Sequence, residues 1–450
     1  MAPDVKKTFS YSDACQYIYG HTDYERITLP AYKKTHYNLS RFRKLLKKIG
    51  NPHLQCKTIL VAGTKGKGST AAYIASMLHE AGYEVGFYSS PHLVTVRERI
   101  QVGVTHITKN EFAKTIHKIA AATKESNSSK KDYGTVFEIL TAAAFSYFTQ
   151  KKVDIAVIEV GLGGRLDATN VVKPLLSVIT PIGYDHTHIL GKTLAAIARE
   201  KAGIIKKNGT VVVAQQRPSA LKEIIARARA NNARCVDVAI NTRICNVRVT
   251  PQKQWFDYNA PNMHIRKLCI GLIGSHQINN AATALHVIDY LNQTPQFSIP
   301  LYAMRKGLKN VVWSCRIEIV SKKPWVILDG AHTVNSAHHL VKTLDQAIRY
   351  KNMILVLGLS TQKDVAGIAK ELCSHAETVI ITCADPVRGI DPHEIEKVCR
   401  VSCPDVQIKN DPLKAFRHAR SIAKAEDCIC VTGSLYLAGA IKKMLDRTKR

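Results

Sequence analysis

The chain has 450 residues, 46% hydrophobic and 22% charged, which excludes a largely disordered protein and suffices for two or three domains. Sixty-four Lys and Arg against 35 Asp and Glu leave a formal charge of +29, which favours anionic partners over cationic ones. No apolar run reaches the ~18 residues that span a bilayer, and residues 1–13 carry no leader-like apolar segment, so a cytoplasmic protein without a membrane partner is expected.

In chain order, residues 58–62 (TILVA) read as a short buried strand, followed by a glycine-rich turn and a helix over 71–81 that Gly82 caps. Residues 124–132 (KESNSSKKD) are polar and read as a surface loop. Strands follow at 153–160, 176–180 and 210–214, with a helix over 193–203 between the last two. Helical periodicity over 280–291 ends at Asn292, and two prolines in 293–300 interrupt the chain. Strand–helix alternation resumes from Trp325, through 353–357, 378–382 and 428–432. The fold class predicted is therefore α/β: a P-loop-type, mostly parallel ATPase domain over 1–311 and a smaller Rossmann-like α/β domain over 312–450. The twelve cysteines have no zinc-site spacing and read as thiols, with Cys428 and Cys430 on one face of a strand.

The glycine-rich turn, GTKGKGS (63–69), lies between strand and helix, where backbone amides and the helix N-terminus can wrap a phosphate and Lys67 can add a cation. It is not a strict P-loop, because the spacing to Lys is short and Gly68 precedes Ser69; by analogy Ser69 is a candidate magnesium hydroxyl. EVGLGGRLDATN (159–170) sits at the carboxyl end of a strand, where ligands bind in open α/β sheets. Its Glu159 can hold a hard cation, while Asp167 and Asn170 can equally serve as loop caps. Asp185-His186 also follows a strand-like run, but a lone His there is more often structural.

Taken together with YSSPHL (88–93), TVFEILTAAAF (135–145), DHTHILGKTLAAIAREKAGI (185–204), NNAATAL (279–285), WSCRIE (313–318), LDGAH (328–332) and VTGSLYL (431–437), these segments make the chain resemble the folylpolyglutamate synthase/dihydrofolate synthase family of the Mur ligase superfamily, in family order from residue 37 onward. The resemblance implies a ligase that uses ATP and Mg²⁺ to activate a carboxylate as an acyl phosphate and joins it to L-glutamate, with dihydropteroate or a reduced folate as acceptor. It places ATP on Thr64, Lys65, Gly66 and Lys67, with Asn280, Arg316 and Asp329 contributing from farther along. Ser90, Glu159 and His186 match its magnesium ligands. Thr135, Val136, Phe137 and Glu138, with Leu166, Asp167 and Ala168, match its pterin site. Lys67 is its expected phosphate-side catalytic group, His332 can orient groups beside the phosphate or equally serve as a cap or in packing, and Lys201 matches a lysine that becomes a carbamate.

Three departures from the family pattern stand out. Lys65 replaces an Asn, WSCR replaces WPGR, and Thr333 replaces the Asn of DGAHN. A Mur-type ligase for another carboxylate and amino acid is the second reading, and a basic nucleotide switch that binds nucleic acid is the third. No basic–aromatic stripe is evident along the chain, so no nucleic-acid partner is expected, and a monomer is.

Overall fold

The computed structural model describes residues 8–23, 39–124 and 134–448. The polar stretch read as a surface loop lies outside them from residue 125 to 132, as do residues 1–7.

Eight strands form the first sheet: β1 (Lys57–Ala62), β2 (Val85–Tyr88), β3 (Ile100–Val102), β4 (Thr105–His106), β5 (Ile155–Glu159), β6 (Leu176–Ile179), β7 (Thr210–Val213) and β8 (Arg234–Asp237). Their order is β4-β3-β2-β5-β1-β6-β7-β8. All neighbours from β2 to β8 are parallel, and β3 and β4 add an antiparallel edge. β1 is buried on both faces, which is why it reads as a continuous apolar run. Ile59 and Val61 face the helices Lys67–Glu80, Ser275–Asn292 and Leu301–Asn310, while Leu60 and Ala62 face Val136–Lys151 and Leu194–Ala202. The helix Leu301–Asn310 sits close because Gly307 has no side chain; a Cβ there would come within 2.6 Å of the Met77 backbone.

A three-stranded antiparallel sheet, β9 (Arg243–Val249), β10 (Gln254–Ala260) and β11 (Met263–Ile270), was not anticipated. In β10 the residues alternate cleanly: Phe256, Tyr258 and Ala260 enter the core shared with Ser275–Asn292, and Trp255, Asp257 and Asn259 face outward. Its neighbour β9 is mostly exposed, although Ile244, Cys245, Val247 and Val249 are apolar.

The third sheet contains β12 (Glu318–Lys322), β13 (Trp325–Leu328), β14 (Met353–Leu357), β15 (Thr378–Ile381), β16 (Asp405–Ile408) and β17 (Cys428–Thr432), in the order β12-β13-β17-β14-β15-β16. Only β12 is antiparallel. Cys428 and Cys430 do share one face, and Ile429 and Val431 the other. All twelve cysteines are free thiols. Among the described residues no helix is long and apolar enough to cross a membrane.

Candidate active site between two sheet edges

The carboxyl ends of the parallel strands in the first and third sheets converge on one cavity of about 1040 Å³. Its wall collects the loops after β1, β2, β5, β6 and β7 and, from the other side, those after β13, β14 and β17. Parallel strands leave their following loops on one edge, so two such sheets set edge to edge enclose a ligand site.

The loop after β1 is held on the neighbouring one. The amides of Thr64 and Lys65 donate to Pro181 O (3.0 and 3.1 Å), and Thr64 Oγ1 donates to Gly183 O (3.1 Å). The helix begins at Lys67, four residues before the expected start, because Gly66 takes a left-handed φ of +81° that turns the chain directly into it. A side chain at Gly66 would strike Asn280, and one at Gly68 would stand 2.6 Å from the Trp313 ring. The glycines thus make room for other parts of this chain as well as for a ligand. Gly68→Ala should displace Trp313 and cost about 1–3 kcal/mol. An unchanged melting temperature together with unchanged Trp fluorescence would disprove that contact.

Lys67 Nζ lies 4.0 Å from Glu159 Oε1 at the tip of β5, and Glu159 Oε2 accepts from the Ser90 amide (3.2 Å). Burial pushes the Glu159 carboxyl above the usual carboxylate range, and Lys67 offsets this only in part. A buried carboxylate short of positive charge, beside a serine, is an oxygen-rich setting that fits a hard divalent cation. His186 borders the same cavity with an exposed ring, and its desolvation within the cleft, with Lys363, Lys201 and Lys67 near, lowers it below the usual imidazole range against the pull of Asp185. Among the described residues no three His, Cys, Asp or Glu side chains converge as a preformed cage.

Asp185 is the electrostatic centre of the cavity. Lys363 Nζ stands 2.9 Å from Oδ1, Lys65 Nζ 3.3 Å from Oδ2, and His332 Nε2 3.7 Å from Oδ2. Burial alone would raise Asp185, but Lys65 and Lys363 beside it hold it well below the usual range. Lys65 is lowered to about 8, by burial first and by Lys363 and Lys67 next. His332 is lowered to about 4, by burial and then Lys65. Its Nδ1 lies 2.7 Å from Gly330 O, and a carbonyl only accepts, so that nitrogen carries the proton. Lys363 was not read from the sequence; it follows β14 at the carboxyl edge, the one signal that could have marked it.

Lys201 is buried and donates to Gly63 O at 2.7 Å. Burial, then Lys67, lowers it to about 7. The helix around it runs Leu194–Ala202, with Thr193 capping its start and Gly203 its end.

Asn280, Arg316 and Asp329 all line the cavity. Asn280 donates to Gln277 Oε1 (3.0 Å), and Gln277 donates to Ser69 Oγ (3.3 Å), which leaves that hydroxyl a second lone pair and its proton. Asp329 accepts from the amides of Ile317 (2.9 Å) and Ala331 (2.7 Å), fastening the 313–317 turn to the end of β13. In that turn Cys315 adopts φ +55°, the region a glycine would favour. Thr333 caps the helix Val334–Ala347, a hydroxyl doing what an amide could.

Of the residues matched to a pterin site, Thr135, Phe137, Glu138, Leu166, Asp167 and Ala168 line the cavity. Val136 does not: it is buried in the core, and its amide donates to Thr22 O (3.0 Å). Phe137 reaches close to Gly161, where a Cβ would meet the edge of its ring at 2.6 Å. Glu138 pairs with Arg41 (2.8 Å) and closes a capping box with Thr135. Asp167 has both oxygens occupied, by the Leu162 amide (2.9 Å) and by the amide and hydroxyl of Thr169 (2.9 and 2.5 Å). It therefore acts first as the loop cap.

Comparison with known proteins agrees in both halves. Residues 61–288 match the Mur ligase middle domain and residues 315–435 the Mur ligase glutamate ligase domain. The chain is 35% identical over 408 residues to a Bacillus subtilis dihydrofolate synthase/folylpolyglutamate synthase, covering 90% of this chain and 94% of that one. It is 34% identical over 419 residues to a probable dihydrofolate synthetase of Schizosaccharomyces pombe, covering 90% and 98%. The crystal structure of a Thermotoga maritima folylpolyglutamate synthase superposes with a TM-score of 0.82 at 34% identity, covering 97% of each chain. A folylpolyglutamate synthase complex with AMPPCP and folate superposes at 0.84, with 29% identity and 97% and 99% coverage.

Proposed function

We propose, from the premise that this chain belongs to the Mur ligase family and its dihydrofolate synthase/folylpolyglutamate synthase branch, that it joins L-glutamate to the carboxylate of dihydropteroate, of a reduced folate, or of both, at the expense of ATP. The observation that carries this reading is the single cavity in which Lys65 and Lys67, Glu159, and Arg316 and Asp329 from beyond the 311/312 boundary face one space, with Phe137 on its wall.

In this reading Thr64 to Lys67 hold the phosphates of ATP, and Asn280, Arg316 and Asp329 complete the nucleotide site. Ser90 and Glu159, with His186 opposite, would hold Mg²⁺, which supplies charge neutralisation for phosphoryl transfer when bound. Phe137 offers a flat apolar face to the pterin, and the capped loop of Leu166 to Ala168 shapes its edge. The acceptor carboxylate attacks the γ-phosphorus, giving an acyl phosphate and ADP; the glutamate amine then attacks the acyl carbon and phosphate leaves. Lys67 screens charge in the first step, and His332 positions groups beside the phosphate. Lys201 serves as a carbamate, formed when its neutral amine adds to CO₂ and loses a proton. One chain supplies both walls of the cavity, which supports a monomer, and cytoplasmic substrates suit that compartment.

The test is ADP release in the presence of ATP and glutamate, with dihydropteroate and tetrahydrofolate supplied in turn. Release should require acceptor and glutamate together. With ¹⁸O in the acceptor carboxylate, one labelled oxygen should appear in the released phosphate. Phosphate free of label would refute the acyl phosphate, and no turnover of dihydropteroate would restrict the enzyme to tail extension.

A further inference from the structure

The outer face of the three-stranded sheet is a basic surface that the ligase reaction leaves unused. Strand register sets which side chains share it. Trp255 stands opposite Arg248 on β9 and Cys269 on β11, and Asn259 stands opposite Arg243 and His264. Arg243, Arg248, His264, Arg266 and Lys267 are exposed, and Trp255 is half-buried. The Arg248 guanidinium lies 5.8 Å from the centre of the Trp255 ring, in cation–π range. Asp257 is the acid of this face, and its carboxylate is already satisfied by the Lys267 amide (2.6 Å) and Asn246 Nδ2 (2.7 Å). Among the described residues none of the side chains of Arg243, Arg248, Arg266 and Lys267 forms a salt bridge.

We infer that this sheet face binds a single-stranded polynucleotide, with phosphates on Arg243, Arg248, Arg266 and Lys267 and a base stacked on Trp255. Its cations alternate with hydrogen-bonding side chains, Asn259 and His264 among them, across a twisted open sheet. An aromatic ring with an adjoining guanidinium plane is what sequence-tolerant base stacking uses. A second copy of the chain is disfavoured, because pairing this face with itself opposes like charges. A bilayer is disfavoured because the face presents one aromatic ring and no apolar wedge for insertion. The sequence hides this arrangement: Arg243 and Arg266 are brought together by pairing through β10, not by spacing.

The experiment is anisotropy of a labelled 16-nucleotide polyuridine with the full chain at several salt concentrations, with ATP and with phosphatidylserine vesicles as competitors. Binding should weaken with salt with a log–log slope of about −3, as four phosphate contacts require. Arg248→Ala should reduce that slope by about 0.7. Trp255→Ala should weaken binding about tenfold with the slope retained. Both variants should keep the parent ligase rate, which shows they are folded. No binding at low salt, displacement by ATP, or parent affinity in the triple variant R243E/R248E/R266E would overturn the proposal. Capture by the vesicles with none by the oligonucleotide would replace it with a membrane surface.

Discussion

Replacing Lys201 with alanine is expected to lower kcat by about a thousandfold, the loss that follows removal of one preorganised electrostatic group from a catalytic site. Lys201 is buried beside Gly63 and close enough to Lys67 to be depressed by it, so a permanent ammonium there would repel both a cation and the lysines of the loop. A carbamate reverses the sign and offers two oxygens. Because the amine is lowered to about 7, it is largely neutral above that pH and able to take up CO₂; below it, protonation blocks the reaction. Activity and a ¹³C carbamate signal should therefore fall together on the acid side. A short carboxylate such as formate should restore part of the activity of Lys201→Ala. Parent activity in Lys201→Ala, measured with CO₂ removed and magnesium limiting, would return Lys201 to an ordinary helix-terminal lysine.

The second large effect is expected at Asp185. Asp185→Asn leaves Lys65 and Lys363 facing each other without the carboxylate that both approach. Removing one member of such a mostly buried cluster costs about 2–3 kcal/mol, somewhat less than a fully buried pair. Displacing the glycine-rich loop and the 360–363 segment by about 1 Å should lower kcat/KM about a hundredfold. The pH dependence follows from the depressed Asp185: its stabilisation is complete above the unfolded carboxylate pKa of about 3.9 and is lost as pH falls through the lower folded value. The melting temperatures of the parent and Asp185→Asn should therefore converge in acid. Equal melting temperatures at neutral pH with equal kcat/KM would remove Asp185 from this role.

How far these residues could be read in advance depended on whether their signal was local. The strands at 353–357 and 428–432 were legible to the residue because β14 and β17 are short apolar runs buried on both faces. The first helix after β1 was placed late because its start depends on the backbone angle at Gly66, not on a capping side chain. β9 and β12 are among the strands the sequence reading lacks, and each is an exposed or half-exposed edge strand with no fully buried face to mark it. In the site, Glu159 and Lys67 were legible from motifs at strand ends. Lys363 was not, because its meaning lies in a contact with Asp185 formed only when the second sheet closes on the first. Asp167 showed the opposite case, where a motif residue proved to be occupied by its own loop.

The strand order has a consequence for synthesis of the chain. β1 is flanked by β5 and β6, so Lys57 pairs with Ile155, and Ile59 with Leu176 on the other side. A ribosome that has released only the first ~150 residues therefore exposes β1 with both hydrogen-bonding edges open, although the helix that packs on it is already complete. Such long-range parallel pairing makes the nucleus slow to close and leaves the nascent segment open to off-pathway strand addition. The glycine-rich loop, which hangs from the end of β1, can take its final shape only after residue 181 has emerged to accept its amides.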